Sequence, residues 1–103
     1  MASLIAWSVA LSGGREVQAL DLEACPEVIV VTFGDAAPTA CRIAWCESRW
    51  DPNAVSPWGD YGLFQINLIH GLGAAALDSD VNVAFAYQLS KGGWDWSAWS
   101  CTP

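Results

Sequence analysis

Basic residues are scarce in this sequence: four Lys and Arg stand against eleven Asp and Glu, for a net charge of −7. A nucleic-acid partner requires a basic face, so that class is excluded. Histidine is nearly absent, His70 being the single one, and no Cys-x-x-Cys occurs, so the residues do not read as a zinc site. His70 itself, beside a glycine, reads as a surface residue. No repeat and no low-complexity linker interrupts the chain. The apolar run from Leu4 to Leu11 is too short to cross a membrane as a helix, and no membrane span is expected.

What is present points to one small domain. At 103 residues the chain buries only enough surface for a thin margin of stability, so it needs covalent help. Four cysteines and seven tryptophans in a lysine-poor chain fit an exported, disulfide-held domain better than a cytosolic enzyme. Cys41 and Cys46, five apart on one expected helix, point to different sides and do not pair. Two pairings remain, Cys25–Cys41 with Cys46–Cys101 or Cys25–Cys46 with Cys41–Cys101, and the order of the chain favours the first. Residues 1–20 read as a leader, either a signal peptide without a basic n-region or an extra helix, and residues 21–103 as the domain.

The chain is organised around residues 46–67. An expected helix over about Pro38 to Trp50 places Ala40, Ile43, Ala44, Cys46 and Trp50 on one arc with Glu47 near its centre, and Arg42 and Arg49 opposite. Asp35 and Thr39 are candidate caps for it, and Pro52 with Asn53 is expected to stop it. On the apolar arc Glu47 loses solvation, its pKa rises, and it becomes a candidate general acid. The plain alternative is an exposed Glu47 or one paired with Arg49. Beyond it, Tyr61 to Asn67 reads as a short extended ribbon, with Gln65 and Asn67 on one face and Phe64 and Ile66 beneath. Ile69 to Leu77 is loosely specified helix or loop. Asp78-Ser79-Asp80 offers N-caps to a helix over Val81 to Lys91, apolar nearly all round and therefore expected to be central, which Gly92-Gly93 ends.

Glu47-Ser48, Pro52, Ala54, Ser56, Gly59, Gly62-Leu63 and Gln65 resemble the first two motifs of the soluble lytic transglycosylase domain. Asp60-Tyr61-Gly62-Leu63-Phe64-Gln65-Ile66-Asn67 resembles the hairpin run of animal-type lysozymes. Both belong to one lysozyme-like superfamily. The resemblance implies a mainly α, α+β lysozyme-like fold: a small disulfide-stapled helical domain with a short β-hairpin beside the catalytic helix. It also implies a helix over Val28 to Phe33, which propensity alone reads as a strand.

The activity implied is cleavage of the β-1,4 bond between N-acetylmuramic acid and N-acetylglucosamine, with Glu47 as general acid and base and no metal or organic cofactor. A transglycosylase needs that single carboxylate and leaves a 1,6-anhydro product; a hydrolytic lysozyme adds a second, for which Asp60 is the candidate. The Ser56 to Gln65 spacing favours the transglycosylase, whereas Asp60 stands where that branch usually has a small apolar residue. A glycan-binding module that keeps the cleft without turnover is the third reading. By resemblance Ser56 bonds close to the acid, Gln65 contacts substrate, and Tyr87 turns its hydroxyl to the cleft near Glu47. Trp58 and Asn67 are further candidates to line the sugar groove, Trp50 suits groove or core, and Trp96 and Trp99 are expected to pack in the core. The partner is a peptidoglycan glycan strand, bound by shape, stacking and hydrogen bonds because an acidic chain gains nothing from an anionic wall. A monomer is expected, or a part of a larger lytic or virion protein, acting outside the cytoplasm or carried by a phage.

Overall fold

A computed structural model describes residues 20–103. The leader reading of residues 1–20 lies, apart from Leu20, outside the described residues. The first helix, α1, spans Glu27–Phe33 and the second, α2, spans Ala37–Ser48, with a 3-10 turn over Gly34–Ala36 between them. The β-branched run in α1 is helical because its burial follows a helical period. Ile29 and Phe33, four apart, are buried, while Val31, which a strand would place on their face, is 73% exposed.

The stretch Glu27–Ser48 is long and apolar enough to cross a membrane by length and composition. It is not one straight rod. A straight helix would hold residues with the separation of Cys25 and Cys41 roughly 24 Å apart, yet their Cα atoms are 5.9 Å apart and the two form a disulfide. The chain folds back at Gly34, whose φ is 57°. The second disulfide joins Cys46 to Cys101, so the pairing is the one that chain order favours. Neither Asp35 nor Thr39 caps α2; its N-cap is Ala36, with no side-chain bond, because the 3-10 turn leads straight into the helix. Pro38 sits in the first turn, where its missing N–H costs nothing. The helix ends before Pro52, since Arg49 and Trp50 both take left-handed conformations, at φ 55° and 61°.

The ribbon is shorter than expected. Strands β1, Asp60–Tyr61, and β2, Ile66–Asn67, pair antiparallel with Asp60 opposite Asn67 and Tyr61 opposite Ile66. Gly62 to Gln65 is a turn in which Gln65 has φ 49°, so the strand period that placed Gln65 and Asn67 on one face does not apply. Gly62 is required there: a Cβ on it would come within 2.5 Å of the Ala76 carbonyl oxygen and of the Asn82 amide. Short 3-10 turns follow at Leu68–His70 and Gly73–Leu77.

Helix α3, Ser79–Leu89, opens on Asp78, whose carboxylate accepts from the N–H groups of Asp80 and Val81. It is buried on one face only, through Asn82, Val83 and Ala86, not all round as its composition suggested. Asn82, fully buried, donates to the Tyr61 carbonyl at 2.7 Å and the Ala76 carbonyl at 2.9 Å, and accepts from the Phe64 N–H at 2.9 Å. The tail then closes the core. Trp96 stacks on Phe33 and Phe64 at centroid distances of 5.7 and 5.9 Å, and Trp99 meets Phe64 edge-on at 6.3 Å.

Replacing Asn82 by the similarly shaped Leu strands one buried donor, one buried acceptor and one partly buried acceptor, with about 1–3 kcal/mol lost for each fully buried group. Urea unfolding is expected to show a loss of at least about 2 kcal/mol, the low end for the two fully buried groups. A variant within about 0.5 kcal/mol of the parent, the scatter of ordinary surface changes, refutes the role given to Asn82.

Candidate active site

Glu47 lies one residue from the end of α2, half-buried, and faces a cleft of about 230 Å³. Its carboxylate oxygen Oε2 accepts from the Cys101 N–H at 3.2 Å. That donor is available because the Cys46–Cys101 disulfide fastens the tail to the residue beside Glu47. Arg49 does not pair with it. The guanidinium sits over the Trp45 ring at 5.1 Å, on the outer side of the helix. Burial is the largest influence on the Glu47 carboxyl and raises its pKa above the ordinary value. The negative charge of Asp60 raises it further, against the Cys101 N–H and the Ser100 hydroxyl, which favour the ionised form.

Asp60, on β1, lines the same cleft. Its two oxygens are held separately: Ser56 Oγ donates to Oδ2 at 2.7 Å and Asn67 Nδ2 donates to Oδ1 at 2.8 Å. The directions of these bonds are fixed by backbone donors. The Ser56 hydroxyl oxygen already accepts from the N–H groups of Trp58 and Asp60, so its own proton goes to the carboxylate. Asn67 Oδ1 accepts from the Ile69 N–H, which leaves the amide nitrogen facing Asp60. Asp60 is thus presented as an acceptor at both oxygens.

The structure brings Glu47, Asp60, Gln65 and Asn67 together around one cleft. Ser56 forms its bond close to Glu47 through Asp60, which shares the cleft with it. Gln65 reaches the cleft, but its side-chain amide donates to the carbonyls of Ala54 and Gly62, so it buttresses the turn. Tyr87 is displaced from its expected place. Its ring packs edge-on against Phe33 at 5.4 Å, and it lines a separate shallow hollow with Gln88 and Lys91. Trp58 is 80% exposed on the loop before Asp60 and is not part of the cleft wall. Trp50 is half-buried and donates its indole N–H to the Cys41 carbonyl at 2.9 Å. Cys46, placed by the helical projection on the inner arc, is exposed.

Sequence reasoning missed the rest of the wall. His70, Leu89, Trp99 and Ser100 border the cleft. The spacing of Leu89 from Phe85, whose ring lies 5.3 Å from that of His70, was the one signal that α3 presents a face there. Among the described residues no group of three or more His, Cys, Asp or Glu is placed to hold a metal ion.

Residues 30–101 match a protein family described as a lysozyme-like domain. No curated protein and no solved structure matches the chain.

A carboxyl whose pKa is raised on folding weakens the fold as pH climbs from its unfolded pKa through its folded one. Glu47→Gln is therefore expected to melt above the parent at pH 7 and level with it at pH 3. A variant that melts level with or below the parent at pH 7 removes the claim of a strained Glu47 carboxylate. Asp60→Asn removes the nearby negative charge, so Glu47, followed by carboxyl NMR, should titrate at lower pH than in the parent. An unmoved titration shows that the two carboxylates do not interact.

Proposed function

The chain belongs to the lysozyme-like domain family, and on that footing we propose that it is a muramidase cleaving the β-1,4 bond between N-acetylmuramic acid and N-acetylglucosamine in peptidoglycan. The observation that carries this is Glu47, a half-buried carboxyl raised in pKa at the wall of a cleft it shares with Asp60. Such a carboxyl keeps its proton nearer neutral pH and gives it to the glycosidic oxygen as the bond breaks. Positive charge then develops at the anomeric carbon. Asp60, an acceptor at both oxygens and held by Ser56 and Asn67, is positioned to offset it. Water completes the reaction, giving its proton to Glu47.

A second reading is that of a lytic transglycosylase, in which Glu47 alone serves as acid and then as base toward the muramyl 6-hydroxyl. The Ser56 to Gln65 spacing favours it. Against that spacing, the side chains of Ser56 and Gln65 are engaged with Asp60 and with backbone carbonyls, and Tyr87 lies outside the cleft. Asp60 in the cleft gives the two-carboxylate reading the better support. Two disulfides fit an oxidising compartment, so we place the domain, residues 21–103, in the cell wall or periplasm or on a phage, as a monomer or within a larger lytic protein.

Digestion of purified peptidoglycan by the parent, Glu47→Gln and Asp60→Asn, read by mass, tests both readings. Hydrolysis predicts reducing ends and a loss of at least about a hundredfold in each variant, the scale of removing a general acid or a transition-state charge. Products lighter by one water, with Asp60→Asn active, establish the transglycosylase instead. A parent that releases nothing while folded and glycan-bound makes the domain a binding module.

A further inference from the structure

The end of α3 forms a second hollow, of about 250 Å³, lined by Tyr87, Gln88, Lys91 and Gly92. Its polar groups are largely unspent. Among the described residues the Tyr87 hydroxyl and the Gln88 side-chain amide make no hydrogen bond, and Lys91, the single lysine of the sequence, meets only Asp95, at 3.7 Å. That pair is exposed, the Lys91 side chain to 77%, so it holds the ammonium weakly and leaves it donors to give. Asp95 is itself occupied at its other oxygen by Ser97.

The backbone makes the placement of Lys91 a specific one. Lys91, Gly92 and Gly93 take three successive left-handed conformations, at φ 56°, 80° and 100°, and only the first is not glycine. A lysine held where glycine would be relaxed points to a use of its side chain. Gly92 has a role beside it: a Cβ there would stand 3.5 Å from the Tyr87 hydroxyl, so glycine keeps that side of the hydroxyl open. The carbonyls at this helix end, which would repel an anion, are already bonded. Tyr87 O accepts from the Gly92 N–H at 2.8 Å, Gln88 O from the Lys91 N–H at 3.1 Å, and Ser90 O from the N–H groups of Trp94 and Asp95.

The hollow and the cleft share the last turn of α3, since Leu89 lines the cleft and Tyr87 and Gln88 line the hollow. Opposite sides of a helix lie about 10–12 Å apart. In peptidoglycan each muramyl lactyl group is joined by an amide to a peptide stem that carries free carboxylates, and a stem of about four residues reaches about 13–14 Å when extended. A stem hanging from a muramyl residue in the cleft is therefore long enough to pass round the end of α3.

Building on the muramidase reading, we propose that this hollow is a subsite for the peptide stem of peptidoglycan, in which Lys91 binds a stem carboxylate while Tyr87 and Gln88 hydrogen-bond to its peptide groups. The glycan cleft then takes stem-bearing strands in preference to stripped ones.

The test uses Glu47→Gln as background, so that ligand is bound without turnover. Two probes are titrated calorimetrically: a tetrasaccharide of alternating N-acetylglucosamine and N-acetylmuramic acid with its peptide stems attached, and the same tetrasaccharide with the stems removed. Adding Lys91→Gly is expected to weaken the stem-bearing probe by about fivefold, the upper end for an exposed charge pair, and to leave the stripped probe within about twofold. Lys91→Arg should keep the preference, and Tyr87→Phe, which retains the packing on Phe33, should lower it in the same selective way. Glycine suits φ 56°, so the Lys91→Gly variant should melt no lower than its background. Equal weakening of both probes, or of neither, overturns the proposal and leaves the muramidase reading standing, as does a background protein that binds the stripped probe as tightly as the stem-bearing one. If the background protein binds neither probe, the glycan reading itself fails and this assignment falls with it.

Discussion

The structure depends on a buried turn that cannot satisfy itself. Leu63 and Phe64 are 1% and 0% exposed, and they stand in the irregular bend between two strands of two residues each. A peptide group buried without a partner costs as much as a lost hydrogen bond, and the two-residue strands on either side end before they reach this turn to supply one. Side chains from three other elements do so. Ser48 at the end of α2 donates to the Leu63 carbonyl at 2.8 Å, Asn82 of α3 accepts from the Phe64 N–H, and Trp99 of the tail donates to the Phe64 carbonyl. Each of these residues is next to, or on the same element as, a part of the cleft. Ser48 follows Glu47, the turn separates Asp60 from Asn67, and Trp99 precedes Ser100 and Cys101. The polar requirements of one turn thereby assemble the acid, the second carboxylate and the tail around a single space.

The two disulfides act on the same arrangement from outside. Cys25–Cys41 holds the fold-back of α1 onto α2, and Cys46–Cys101 closes a 55-residue separation that loop entropy values at about 4 kcal/mol. In a domain this small such a contribution is comparable with the whole net stability. The second bridge also has a chemical consequence. It presents the Cys101 N–H to Glu47, which favours the ionised carboxyl, while burial, the stronger influence, disfavours it. Glu47 is thus a group made uncomfortable by burial and steadied by hydrogen bonds from the tail.

Local pattern was enough to read several parts of this from the sequence. The apolar arc around Glu47, the Asp78 cap and the cystine pairing follow from helical period, capping chemistry and chain order, and the burial of Trp96 and Trp99 from the family resemblance. Where expectation and structure part, tertiary contacts are the cause. The motif position of Tyr87 expects its hydroxyl at the cleft, but its ring packs against Phe33, whereas Gln65 does line the cleft with its amide N–H groups bound to two backbone carbonyls. Asn82 gave no warning, since one polar residue in an apolar helix reads as a solvent-facing position; only the long-range demand of the buried turn explains it. The end of α2 came early because two successive left-handed residues, Arg49 and Trp50, turn the chain before Pro52 can.

The network around Asp60 separates motif from role. In Ser56, Asp60, Gln65 and Asn67 the sequence has four polar side chains of the kind that bind sugars, and all four lie close together. Three of them are bound inward: Ser56 and Asn67 to Asp60, with the bond directions dictated by backbone N–H groups, and Gln65 to the turn. A donor already engaged in a well-aligned bond gains little by exchanging it for a substrate. The cleft then presents chiefly two carboxylates, one of them raised in pKa by burial. On the proposed muramidase reading, proton transfer falls to that carboxyl and charge compensation to Asp60, whose oxygens are both held.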